Sequence, residues 1–233
     1  MKKIFSTSAY GTNPRYIVGA HRQYELCKKY FPDWEYRLYT DDPSHYVSLK
    51  DANVIQCAEG HGVFWRFFPL FESDDHITIV RDADGRVTLR EQLAVEEWLR
   101  TDCIFHRFRD HVAHYEFPLI ACAFGLKGKL PEYLEKMMKE FMYKTNYYTN
   151  DQVFLRDFVW PYVENNTLTH DMNVGWFGAT RSILANRFSF CGNGYDENDL
   201  PLYPPTMEEM TGYVPSELNK FDEGIFKQIG YVI

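Results

Sequence analysis

Asp82 and Asp84 stand one residue apart behind an apolar, β-branched run, Ile77-Thr78-Ile79-Val80, with Arg81 between the run and the first carboxylate. On an extended strand alternate side chains share a face, so the two carboxylates are expected to point together at a sheet edge. Carboxylate oxygens are hard donors that suit Mg²⁺ or Mn²⁺. Such a cation takes one or two protein carboxylates and completes its shell with phosphate oxygens and water. The chemistry on offer is metal-assisted work on a phosphate or diphosphate. Asp-x-Asp also occurs in plain turns, so the surrounding residues must decide.

Three arginines flank the pair. The guanidinium fork of Arg66, Arg81 or Arg86 matches a phosphate or carboxylate bidentately. Arg66 and Arg86 suit salt bridges equally well, whereas Arg81 abuts the carboxylates and is assigned to the site. Further along, Thr149-Asn150-Asp151-Gln152 opens a predicted helix. A carboxylate there can hold an acceptor hydroxyl or act as a general base, and it can also serve as an N-cap. His106, His111 and His114 surround Arg109-Asp110; imidazole can ligate a metal, contact an acceptor or brace a sheet.

These residues need elements to position them. Strands are predicted over residues 3–8, 34–40, 54–57, 77–81, 103–108 and 119–126. Helices are predicted over 15–30, 63–72 with Pro69 bending it, 89–100, 132–143 and 151–163. Thr88-x-x-Glu91 announces the third of these as a capping box. The alternation implies an α/β domain with a mostly parallel central sheet flanked by helices, whose ligands bind at the carboxyl ends of strands. After Cys191, Gly192, Gly194 and four prolines break any long element. Residues 1–191 are expected to form the domain, and 192–233 an irregular C-terminal extension wrapped on it.

Composition narrows the class. A chain of 233 residues suffices for one sizeable core. A net charge of −8 argues against a nucleic-acid surface, which needs a basic stripe. Five scattered cysteines, never spaced Cys-x-x-Cys, predict a reducing compartment with neither disulfide framework nor zinc. With no signal peptide and no run of about 20 apolar residues, the expectation is a cytoplasmic protein without an integral membrane segment, monomeric or weakly dimeric. Aromatic content of 17% fits ring or sugar stacking, but more simply a Phe-rich core.

A family resemblance is carried by Phe5-Ser6-Thr7-Ser8, Tyr10-Gly11, Asn13-Pro14-Arg15-Tyr16, Phe64-Trp65-Arg66-Phe67, Arg81-Asp82-x-Asp84-x-Arg86, and the stretch from Phe105-His106 to His114. Together these segments resemble a family of small GT-A-fold glycosyltransferase-like proteins known from bacteria and large algal viruses, most specifically over residues 64–114. Val112, Gly85 and the Ala121–Gly125 stretch depart from the family pattern. The resemblance implies a nucleotide-sugar donor, a UDP-sugar before a GDP-sugar, and a glycan or other hydroxyl acceptor. It also implies Mn²⁺ or Mg²⁺ at Asp82 and Asp84, with His170 as third ligand. Donor contacts are expected from Ser6, Thr7, Ser8, Tyr10, Arg15, Arg66, Arg81, Asp82 and Arg86, with Tyr10 stacked on the base. Asp151 and Asp110 are the expected catalytic carboxylates, and His111 and His114 the acceptor contacts.

Two other readings stay open. Strand-Asp82-x-Asp84-Gly85 also resembles the first motif of haloacid-dehalogenase-type phosphohydrolases, with Asp82 as nucleophile. That chemistry needs a later Lys, for which Lys127 is the candidate, and a downstream acidic pair; the late acidic cluster 196–199 follows no predicted strand. A non-catalytic nucleotide-sugar-binding module would use the same pocket.

Overall fold

A computed structural model describes residues 1–110, 114, 117–144, 147, 149–171 and 190–202. Seven strands form one sheet: β1 Lys2–Ser8, β2 Glu35–Thr40, β3 Asn53–Gln56, β4 His76–Val80, β5 Phe105–Arg109, β6 Phe124–Lys127 and β7 Thr167–Asp171. The order is β3-β2-β1-β4-β6-β5-β7. β6 runs antiparallel to both neighbours, and every other pairing is parallel. This is the α/β arrangement expected, a mostly parallel central sheet flanked by helices.

Local chemistry explains the helices that frame the sheet. Helix α1, Pro14–Tyr30, starts where the Asn13 side chain accepts from the Arg15 N–H and Pro14 supplies a preset φ at the first helical position. Helix α2, Leu89–Leu99, starts at Thr88, whose hydroxyl accepts from the Glu91 N–H. The reciprocal half of the expected capping box is missing, because the Glu91 carboxylate accepts from Arg81 instead, at 2.7 Å. The segment Gly62–Phe71 winds as a 3₁₀ helix around Pro69 rather than as an α-helix. Helix α3 is Glu132–Lys144. The predicted helix over 151–163 is α4 Asn150–Phe154, a π-helical turn Leu155–Val159 and α5 Trp160–Val163. Pro161 removes the N–H that would bond one turn back, and the widened turn precedes it.

The sheet buries an apolar layer on each face. Phe5, Ile77 and Ile79 pack with Ala20, Cys27, Val95 and Trp98 of α1 and α2. Val80, Phe105 and Phe124 pack with Phe64, Phe67, Met138 and Phe154 on the other side. The aromatic excess therefore goes largely into the core, where a fully buried Phe contributes about 2–3 kcal/mol over leaving it exposed. The expected strand over 119–126 is realised only as β6, since 119–123 turn beneath α4. Three short elements carry no strong sequence signal: β7 and the 3₁₀ turns Pro43–Tyr46 and Glu164–Asn166.

Candidate functional site

Adjacent parallel strands β1 and β4 end side by side, and the chain beyond each turns over the same sheet edge. The β4 continuation is not extended. The Gly85 N–H donates to the Asp82 carbonyl at 3.2 Å, closing a turn over 82–85. Gln23 of α1 braces that turn, donating to the Asp82 carbonyl at 2.9 Å and accepting from the Val87 N–H at 3.2 Å. Helix α1 approaches so closely here that a Cβ on Gly19 would lie 2.6 Å from the Ala83 carbonyl oxygen. The two carboxylates consequently diverge. Asp82 keeps 36% of its side chain exposed, whereas Asp84 turns inward to Arg15.

A cavity of about 290 Å³ opens at this edge. Its carboxylates are Asp82, Asp84 and Asp151, and its cations Arg15 and Arg66. Arg66 comes from the buried 3₁₀ segment, where the Ser6 hydroxyl donates to its carbonyl at 2.7 Å. Its Nη1 pairs with Asp82 Oδ1 at 2.7 Å, and its Nη2 donates to Asp151 Oδ2 at 2.7 Å. Arg15 donates to Asp84 Oδ2 through Nε at 2.6 Å and through Nη2. Asp151 stands in the first turn of α4, its Oδ1 accepting from the Gln152 N–H at 2.8 Å, so it is not the N-cap.

Crowding shows in the ionisation equilibria. Burial, with the Asp82 charge adding to it, raises the Asp151 carboxyl to about 6 against the opposing pull of Arg66. Burial and Asp82 likewise raise Asp84, which Arg15 opposes. Burial pushes the Tyr10 phenol up to about 12, leaving it neutral. The Tyr10 ring is wedged edge-on against Trp65 and His61, and a Cβ on Gly62 would strike it at 2.3 Å.

Of the expected donor residues, Ser8, Tyr10, Arg15, Arg66 and Asp82 line the cavity. Ser6 and Thr7 do not, because both lie within β1 rather than in the turn after it, and both are fully buried. Arg81 is not a ligand-facing cation either. Its side chain is locked on Glu91 and on the carbonyls of Val80 and Phe124, beneath the sheet edge. Arg86 is spent on Asp199 at 2.8 and 3.0 Å and on the carbonyls of Asp84 and Gly85, with its guanidinium over the Tyr195 ring. It pins the C-terminal segment to the Asp82–Gly85 turn.

Two further expectations are corrected by burial. Asp110 is a structural carboxylate: it takes both ends of the Arg90 fork, one at 2.8 Å, and the Cys191 N–H at 3.0 Å, away from the cavity. His170 is not a third metal ligand. Its two ring nitrogens face His106 Nε2 at 2.7 Å and Glu97 Oε2 at 3.2 Å, inside the layer between β5, β7 and α2. His106 is fully buried and stacks on Trp98. His114 does line the cavity, with Nδ1 accepting from the Asp110 N–H at 3.2 Å; His111 lies outside the described residues.

Sequence reasoning missed the opposite wall, where Phe117, Ile120, Cys122 and Phe190 give the cavity an apolar side. It also read Gly192 and Gly194 only as breakers. A Cβ on Gly194 would lie 2.9 Å from Asp84 Oδ2, so the glycine lets the backbone lie directly on the Arg15–Asp84 pair. A Gly-x-Gly in a proline-rich stretch was the available signal.

No family model matches the chain, and no curated protein matches it. Among solved structures it is similar to a glycosyltransferase involved in the glycosylation of the major capsid of PBCV-1. That likeness has 15% identity and a TM-score of 0.42, over 74% of this chain and 82% of that one. So remote a likeness leaves the chemistry to be argued from side chains.

Among the described residues no three His, Cys, Asp or Glu side chains gather into a metal cage. Two carboxylates with like-charge crowding do fit a hard dication that arrives with a diphosphate and completes its shell with phosphate oxygens and water. The turn sets the two carboxylates apart: Asp82 is the exposed one in the cavity, and Asp84 is the enclosed one held by Arg15. The phosphohydrolase arrangement is not assembled. Lys127 donates to the carbonyls of Trp98 and Thr101 at 3.0 and 2.6 Å, and Asp199 pairs with Arg86 and Arg22. No helix of the described residues is long and apolar enough to cross a membrane, and all five cysteines are free.

Proposed function

We propose that the protein transfers a glycosyl group from a nucleoside diphosphate sugar, UDP-linked before GDP-linked, to a hydroxyl of a glycan or other acceptor. The observation that carries the reading is the convergence of Asp82, Arg66, Asp151 and Tyr10 on one cavity at the carboxyl ends of β1 and β4.

The residues divide the work. Tyr10, neutral and held edge-on by Trp65, offers a ring face for the base. Asp82, with Asp84 behind it, would hold Mg²⁺ or Mn²⁺, whose Lewis acidity offsets charge developing on the departing diphosphate. Arg15 and Arg66 add positive charge beside the same oxygens. Asp151, with a pKa of about 6, is ionised at neutral pH yet basic enough to accept the proton of an attacking hydroxyl. Phe117 and Phe190 give an acceptor sugar an apolar wall.

Calorimetric titration of UDP-glucose, with and without Mn²⁺, tests the reading. Binding that strengthens with Mn²⁺ and loses that response in Asp82→Asn is the expected result. Affinity indifferent to the metal in the wild type would remove the metal bridge. Binding with no release of UDP against any acceptor would favour the non-catalytic module.

A further inference from the structure

Arg66 carries two carboxylates on one guanidinium, and the two are not alike. Asp151 is buried and takes a true hydrogen bond from Nη2, while Asp82 is more than a third exposed and held at Nη1 as an ion pair. The guanidinium cannot follow Asp82 outward, because Ser6 fixes its backbone carbonyl and its side chain is buried against the Phe67 ring. Three carboxylates against two guanidinium groups leave the cavity one net negative charge, yet each carboxylate already has an arginine. A dication entering alone would compete with Nη1 for Asp82 and then stand beside the cation it displaced. A diphosphate entering alone would meet Asp82 and Asp84. Entering together, the pair leaves the released Nη1 an anionic partner.

Resting on the glycosyl-transfer reading, we propose that Arg66 is the resident counter-ion of Asp82 and yields that arm to an incoming dication, so that dication and nucleoside diphosphate bind cooperatively. Arg66 is then a positioning residue: it keeps its second arm on Asp151 throughout and exchanges the first between Asp82 and the diphosphate. Coupling of this kind is reciprocal, each ligand tightening the other by the same factor.

Mn²⁺ affinity measured by calorimetry, alone and with saturating UDP, gives the test. In the wild type UDP should tighten Mn²⁺ at least about tenfold, a size ordinary for coupled sites. Arg66→Lys keeps the positive charge but replaces the two fixed arms of the guanidinium with a single ammonium, which is expected to settle on buried Asp151 and release Asp82. Its Mn²⁺ affinity without UDP should rise at least about fivefold, and the UDP-dependent gain should shrink correspondingly. Unchanged or weaker Mn²⁺ binding in a folded Arg66→Lys overturns the proposal. If that variant does not fold, Asp151→Asn serves, since Arg66 then settles on Asp82. Mn²⁺ alone should weaken and the UDP-dependent gain should grow, and an unchanged gain overturns the proposal. Failure of the wild type to bind Mn²⁺ or UDP in any combination would overturn the glycosyl-transfer reading with it, whereas a normal ternary complex with no effect of either variant overturns only the exchange.

Discussion

Arg15 donates through Nε to Asp84 Oδ2 at 2.6 Å, and the Gly194 backbone lies directly on that pair. The contact ties the start of α1, the Asp82–Gly85 turn and the C-terminal segment into one unit, reinforced where the Tyr195 N–H donates to the Asp84 carbonyl at 2.9 Å.

Gly194→Ala is expected to disturb that unit. The added Cβ would meet Asp84 Oδ2 at 2.9 Å, Leu202 at 2.9 Å and Arg15 Nη2 at 3.1 Å, and overpacking of this kind costs about 1–3 kcal/mol. Chemical denaturation should show the loss, and Mn²⁺-dependent UDP binding should weaken in parallel. Unaltered stability would mean that the segment moves aside freely.

Asp110→Asn separates structure from chemistry. Removing its charge breaks the buried Arg90–Asp110 ion pair, which costs about 3–5 kcal/mol. Urea unfolding should register that cost, while the folded fraction keeps wild-type affinity for UDP and Mn²⁺. Normal stability with lost turnover would return Asp110 to the catalytic set.

Asp151 predicts a stability profile as well as an activity profile. Its carboxyl titrates at about 6 in the folded protein against 3.8 when free, so its stabilising contribution is complete below about pH 4 and is lost as pH rises through 6. Asp151→Asn mimics the protonated form and should be more stable than wild type by about 2–3 kcal/mol at pH 7.5, with the difference vanishing near pH 4. Transfer activity in the wild type should fall below pH 6, and the variant should lose about 10²–10⁴-fold. Wild-type turnover in the variant would end the assignment.

His106 carries the opposite sign. Burial holds it well below the ordinary 6.5, with His170 and nearby cations adding to the effect, so it is neutral when folded. Its contribution is present above about pH 6.5 and lost as pH falls, by up to about 1.4 kcal/mol per pH unit. His106→Phe, which can keep the stack on Trp98, should flatten that acid-side slope in denaturation curves recorded from pH 7.5 to 5.

Local signals made much of the frame legible. α1 begins within one residue of its expected bound, the β-branched run gives β4, and the alternation of strands and helices gives the α/β class. β6 and the π-helical turn were less visible: strand direction depends on partners distant in sequence, and a widened turn leaves no periodicity of its own. Among candidate site residues, Asp82, Arg66, Tyr10 and Asp151 were named and converge. Arg81, Arg86, Asp110 and His170 were named and do not, since each finds its partners inside the protein: Glu91, Asp199, Arg90 and His106.

The sequence by itself determined that two carboxylates follow a buried strand in an acidic α/β protein, because composition, β-branching and spacing are local properties of the chain. Only the tertiary structure decided that the two diverge, with Asp82 exposed in the cavity and Asp84 enclosed against Arg15. The Gly85-to-Asp82 hydrogen bond bends the chain, α1 packs against the bend at Gly19, and Arg15 draws Asp84 inward. A side chain's direction beyond a strand end follows from what packs on it, and those partners lie 59 to 85 positions away in the sequence.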